Sequence, residues 1–226
     1  MALQKNSIMK KQHAVLFDLL TALLDSWTVW NHAAGSEAAG RAWRAEYLRR
    51  TYGCGAYVPY ETLVREAAQA TGLTAVHAQT LEDAWLELHV WSGAQEALNT
   101  LSKRYALGVV TNCSTRLGFL AAQRLQVAWD CVITAEDAGY YKPHPVPYQR
   151  ALHTLGVSAD QAVFVAGSGY DLFGTSAVGL RTYWHNRIGL SAPAGAPQPD
   201  IEHADLSRLV AWVEHNLSAA SAQGSK

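Results

Sequence analysis

Apolar residues follow two rhythms along this chain, and the change between them divides it. Ala14-Val15-Leu16-Phe17 is an unbroken apolar run of strand length, closed by Asp18. Such runs fit strands buried on both faces. From Leu24 to Val90 the spacing is helical only, predicting helices near 23–34, 37–51, 58–71 and 76–89 and no strand. Beyond Trp91 strands return. Ala94, Ala97, Leu98, Leu101 and Tyr105 lie on one helical face, and Ala106 to Val110 reads as a strand. A helix over 115–125, a strand at Cys131-Val132-Ile133 and a helix over 145–155 follow. Ala162 to Val165 is a further strand, then a helix over 171–178, a last strand from Leu180 to Trp184, a Pro/Ala/Gly loop over 191–199 and a helix over 205–217. Residues 1–12 and the tail from Ser218 are expected to fray.

Strands alternating with helices predict an α/β fold with a Rossmann-like parallel sheet. The helical block reads as an inserted all-helical cap over 24–90, leaving 1–23 and 91–226 as the core. In such sheets ligands bind beyond the carboxyl ends of the strands. The polar groups expected at that rim are Asp18, Thr111-Asn112, the loop reaching Lys142, and the stretch from Ala166 to Asp171.

Composition narrows the function. The 226 residues are 49% hydrophobic, enough for a substantial core, and the net charge is −1. No basic cluster marks a nucleic-acid face, and no apolar run reaches the roughly 18 residues of a membrane span. Met9-Lys10-Lys11 before an apolar stretch imitates a leader, but Asp18 and Asp25 interrupt it and no small-residue cleavage site follows. Three widely spaced cysteines (Cys54, Cys113, Cys131) fit reduced thiols, and so a cytoplasmic location. The nine histidines lack ligand spacing, so no zinc site is expected.

The rim clusters carry more. Phe17-Asp18-Leu19-Leu20-Thr21-Ala22-Leu23, Val110-Thr111-Asn112-Cys113-Ser114, Tyr141-Lys142-Pro143 and Val165-Ala166-Gly167-Ser168-Gly169-Tyr170-Asp171 together resemble, in order and spacing, the four motifs of the haloacid dehalogenase superfamily. Within it the chain is most similar to the 2-haloacid dehalogenases. Trp43-Arg44 ahead of Glu46-Tyr47, the later Tyr148, Trp184-His185-Asn186-Arg187-Ile188-Gly189 and Pro199-Asp200 all match that branch.

The resemblance implies a hydrolase in which Asp18 displaces a leaving group at C2 of a small 2-substituted carboxylic acid, through an aspartyl ester. Lys142 then balances the nucleophile's charge and helps place water, and Asp171 orients Lys142 or activates that water. Thr111 and Asn112 hold the substrate carboxylate, with Ser168 a further donor. Leu19 and Leu20 border the substrate, and Arg44 receives the halide, walled by Trp27, Trp30 and Trp43. Competing structural roles are capping of the next helix by Asn112 or Ser114, and a solvated arginine face made by Arg44 with Arg41, Arg49 and Arg50. A homodimer is expected from the same resemblance.

Leu20 stands where phosphatases of the superfamily carry a general acid. An alkoxide leaving group needs a proton and a halide does not. Gly167 stands where they carry an acid for magnesium, so magnesium-independent activity without a cofactor is expected. Other positions depart from the dehalogenases. Leu20, Thr21 and Ala22 replace Tyr, Gly and Thr, so the hydroxyl that would bond the nucleophile is displaced by one residue or lost. Ala166 and Ser168 replace Ser and Asn. A smaller, less polar pocket is therefore expected. Three other readings stay open: opening of azetidine-2-carboxylate, a magnesium-dependent phosphatase of small metabolites, and a catalytically silent binding module. No lysine lies between Lys11 and Lys103, which sets aside the Schiff-base phosphonoacetaldehyde hydrolases.

Overall fold

The computed structural model describes residues 11–223. β1 (Ala14–Phe17) leads to β2 (Leu24–Asp25) and four helices, α1 (Ser26–Ala33), α2 (Glu37–Gly53), α3 (Tyr60–Ala70) and α4 (Ala75–Asp83). A 3-10 turn over Ala84–Glu87 and β3 (His89–Val90) end this excursion. The chain continues through α5 (Ala94–Leu101), β4 (Ala106–Thr111), α6 (Thr115–Ala122), β5 (Cys131–Thr134) and the short α7 (Ala135–Ala138). It finishes with α8 (Pro145–Leu155), β6 (Ala162–Ala166), α9 (Asp171–Val178), β7 (Arg181–His185), β8 (Ile201–His203) and α10 (Leu209–Gln223).

Six strands form one parallel sheet in the order β5-β4-β1-β6-β7-β8. β1 lies between β4 and β6, and the chain reaches these neighbours on opposite sides. That reversal opens a crevice at the carboxyl ends of the strands. Alternation along β1 sends Val15 and Phe17 into one core, with Leu107, Val109, Val163 and Val165. Ala14 and Leu16 enter the other, with Val110, Phe164, Tyr148 and Trp184. The first core runs on without a break into the helical excursion through Leu19, Leu23, Trp30, Trp43, Tyr60 and Trp85.

The structure corrects several expected elements. The helical block has a neck of two short strands, with Leu24 opposite Val90 and Asp25 opposite His89. Asp25 also caps α1 by accepting from the Thr28 amide at 3.1 Å, so that helix cannot begin at 23. The loop over 191–199 leads into a sixth core strand, β8, before α10 starts at Leu209. The expected frayed ends lie outside the described residues at 1–10 and 224–226, and α10 runs through Ser218 to Gln223. Among the described residues no helix is long and apolar enough to cross a membrane.

Candidate active site

Asp18 is the first residue after β1 and is 6% exposed. The loop behind it curls back, so that Oδ2 accepts from the Thr21 amide at 2.9 Å, the Thr21 hydroxyl at 2.6 Å and the Ala22 amide at 3.1 Å. Oδ1 accepts from Lys142 Nζ at 2.8 Å. Burial alone would raise this carboxyl's pKa. The Lys142 charge and the bonds from Lys142 and Thr21 outweigh burial and hold it below the ordinary value. The hydroxyl in doubt is therefore present, moved to Thr21.

Lys142 reaches Asp18 because its backbone is clamped. The Asn112 side chain accepts from the Lys142 amide at 2.7 Å and donates to the Lys142 carbonyl at 2.9 Å. Nζ also pairs with Asp171 Oδ1 at 2.9 Å. Burial would lower the ammonium's pKa, but Asp171 and Asp18 together raise it, so Lys142 stays charged. Asp171 opens α9, and Tyr148 donates to the same Oδ1 at 2.8 Å. Burial, with the Asp18 charge added, raises Asp171 against the opposing pull of Lys142. Tyr148 fits because residue 174 is glycine. A Cβ there would lie 2.3 Å from the Tyr148 ring and 2.6 Å from the Pro143 carbonyl.

These groups form the floor of a cavity of about 700 Å³ between the sheet rim and α2. Leu20 and Ser168 line it beside them. Arg44 lines it from above, with Nη1 on the Ser26 hydroxyl at 2.9 Å and the guanidinium 3.9 Å from the centre of the Trp27 ring. Arg41, Arg49 and Arg50 pair with Glu37, Glu46 and Glu66 at the surface. Arg44 is buried and has no carboxylate within ion-pair distance among the described residues.

Other expected site residues stand elsewhere. Leu19 is fully buried, its carbonyl accepts from the Leu23 and Leu24 amides, and it does not line the cavity. Thr111 is 1% exposed and also outside the cavity, its hydroxyl 3.8 Å from Cys113 Sγ. Asn112 lines the cavity, but its amide is committed to Lys142. Ser114 caps α6 and donates to Glu61 at 2.7 Å. Trp27 and Trp30 wall the cavity, whereas Trp43 sits in the helical core with its indole nitrogen on the Val64 carbonyl at 2.9 Å. Asn186 pins the loop behind β7 through Leu190, and Asp200 accepts from the Thr182 amide. The rest of the cavity lining is largely apolar. Leu48, Tyr52, Tyr170, Leu190 and Pro193 give it an apolar wall. Arg44, Leu48 and Tyr52 repeat at four-residue intervals, so one wall was readable as a helix face.

The fit to magnesium fails on geometry. A Cβ at Gly167 would lie 2.2 Å from the Ala22 amide nitrogen and 2.3 Å from both Thr21 C and Oγ1. No acid side chain enters there while the Thr21-Ala22 loop holds Asp18. Lys142 already occupies the space between the two carboxylates.

Residues 15–185 match the haloacid dehalogenase-like hydrolase family. The chain belongs to that family. Its relatives include the (S)-2-haloacid dehalogenase 4A of Burkholderia cepacia, 30% identical over 221 residues, covering 87% of this chain and 90% of that one. Haloacetate dehalogenase H-2 of Moraxella sp. (strain B) is 26% identical over 220 residues, covering 89% and 98%. An L-2-haloacid dehalogenase structure from Xanthobacter autotrophicus, with chloropropionic acid covalently bound, superposes with a TM-score of 0.79. At 21% identity over 90% of this chain and 98% of that one, it shows a shared fold. The haloacid dehalogenase-like fold and an enzymatic role as a hydrolase follow for this family member.

Proposed function

We propose that this hydrolase cleaves the carbon–halogen bond of 2-halo carboxylic acids, with Asp18 as nucleophile. The observation that carries the reading is the state of Asp18: a buried, ionised carboxylate held by a fixed ammonium, with Leu20 where a proton donor would stand. Asp18 Oδ1, which among the described residues accepts only from Lys142, attacks C2, and the carbon–halogen electron pair leaves with the halide. Arg44, a buried cation over the Trp27 ring with no carboxylate partner among the described residues, receives that halide. The Ser168 hydroxyl, which accepts from the Tyr170 amide at 3.3 Å, keeps its proton for the substrate carboxylate.

Water then attacks the Asp18 carbonyl carbon of the ester. Negative charge grows on Oδ2, where the Thr21 hydroxyl and the Thr21 and Ala22 amides already point. Asp171 takes the water's proton at Oδ2, since Lys142 and Tyr148 both bond its Oδ1. The acyl–oxygen bond then breaks, the bond to C2 staying intact; Asp171 returns its proton to the departing oxygen, the hydroxy acid leaves, and the regenerated Asp18 carboxyl releases a proton to solvent. The net products are the 2-hydroxy acid, halide and one proton.

Halide release from 2-halo acids is the direct assay, and Asp18→Asn is expected to abolish it. A single turnover in heavy-oxygen water should place label on the Asp18 peptide. Halide release with label only in the product would overturn the ester route. The magnesium-phosphatase alternative has no room at Gly167 for its third acid.

A further inference from the structure

We propose that the acid accepted here carries an aryl group beyond C2, held by Leu48, Tyr52 and Tyr170. This rests on the carboxylate-bearing ligand of the reading above and specifies its remote half.

The argument begins with volume. 2-Chloropropionate has about six heavy atoms, and even at a water molecule's share of ~30 Å³ each it fills at most about 180 Å³. The cavity offers about 700 Å³. A three-carbon acid would leave most of it to solvent, directly above Asp18. Charge is distributed unequally as well. Asp18, Lys142, Asp171 and Arg44 serve the reacting end, while the wall from α2 to the loop after β6 is Leu48, Tyr52 and Tyr170, continued by Leu190 and Pro193. The arginines beside it, Arg41 and Arg49, line the cavity mouth but are already paired with Glu37 and Glu46.

Its shape favours a flat group. Tyr52 and Tyr170 meet at the cavity edge in a tilted ring contact, with ring centres 4.6 Å apart and an interplanar angle of 37°. Tyr170 remains 38% exposed, so part of its ring is open to contact. A ring from the ligand would extend this pair at ordinary aromatic spacing. Trp27 offers a further flat face near Arg44.

The test uses the intact wild-type protein. Calorimetric binding of propionate and 3-phenylpropionate, which cannot lose halide, is compared with halide release from 2-chloropropionate and 2-chloro-3-phenylpropionate. A pocket discriminates roughly tenfold or more per well-buried apolar increment. We expect at least about tenfold tighter binding of 3-phenylpropionate and a similar gain in kcat/KM for the phenyl substrate. Leu48→Trp, which fills the wall, should cut the phenyl-to-methyl ratio of kcat/KM about tenfold. Equal or weaker binding of 3-phenylpropionate overturns the inference, even if 2-chloropropionate is turned over and the reaction stands. Tighter binding of the phenyl acid with no halide from either substrate upholds the aryl site and overturns the dehalogenase reading instead.

Discussion

On the proposed ester route, Thr21→Val should separate the two chemical steps. The substitution keeps the shape of the side chain and removes one of the three donors on Asp18 Oδ2, the hydroxyl at 2.6 Å. The two amides at 2.9 and 3.1 Å belong to the backbone and remain. A hydrogen bond to a charged acceptor contributes about 1.5–3 kcal/mol. If that bond strengthens as charge gathers on Oδ2 during hydrolysis, its loss slows the second step by roughly 10–150-fold. The first step responds in the opposite sense. Thr21 helps to hold the Asp18 pKa down, so its removal makes the carboxylate more basic and does not weaken its attack. The ester should therefore accumulate. Intact-mass spectrometry after mixing with a 2-halo acid should show the variant carrying the substrate's mass less the halogen, while the wild type stays mostly unmodified. A variant with kcat within twofold of wild type and no adduct would refute the assignment of Oδ2 as the oxyanion.

The pH profiles follow from opposite shifts on the two carboxyls. Asp18 is lowered and Asp171 raised about the same ordinary value near 3.8, so kcat, where hydrolysis limits, should lose activity on acidification before kcat/KM does; coincident acid limbs in a halide-release assay would contradict this. Lys142→Met leaves two buried carboxylates without their cation, a loss of about 3–5 kcal/mol for one partner of a buried pair. That is about 6–20 °C in Tm for a chain of this size. The sign of the pH dependence also changes. In the wild type the lowered Asp18 contributes stability above its unfolded pKa and loses it only as pH falls through the folded value. In the variant the carboxyls rise instead, so scanning calorimetry should show Tm increasing from about pH 8 to pH 5. Gly167→Asp should not create magnesium-dependent phosphatase activity. Overpacking against Thr21 and Ala22 should lower Tm by about 2–12 °C, taking about 1–3 kcal/mol and 2–4 °C per kcal/mol, and halide release should fall with it.

The elements that the sequence made legible are those with a full period of their own. α8 and α9 occupy 145–155 and 171–178, as their apolar spacing predicts. β2, β3 and β8 have two or three residues each, too few to display alternation, and exist through partners distant in sequence, as Leu24 does with Val90. The site divides the same way. Asp18 and Asp171 follow strands and point to the rim, so motif and strand end agreed. Thr111 is still inside β4, in register with Thr134, and the strand's alternation turns its side chain into the protein. Asn112 does lie at the rim, but no local rule reveals that its amide is taken by the Lys142 backbone. Leu19 belongs to the turn that swings the chain into β2, where its carbonyl is needed by the Leu23 and Leu24 amides.

Leu20, Thr21 and Gly167 are best understood as one structural solution. The loop after β1 is tight enough for two amides and a hydroxyl to converge on one oxygen of Asp18. Tightness brings that loop against residue 167, where even a methyl group would overlap it. An acid for a metal is thereby excluded by the same packing that directs three donors at Asp18 Oδ2. The charge a dication would provide comes instead from Lys142, shared between Asp18 and Asp171. A single fixed ammonium suits a monoanionic substrate and a leaving group that departs unprotonated, and Leu20 then has no proton to deliver. The departure from the dehalogenase pattern at Thr21 is thus a relocation of the donor within the loop, which keeps three donors on one oxygen of Asp18.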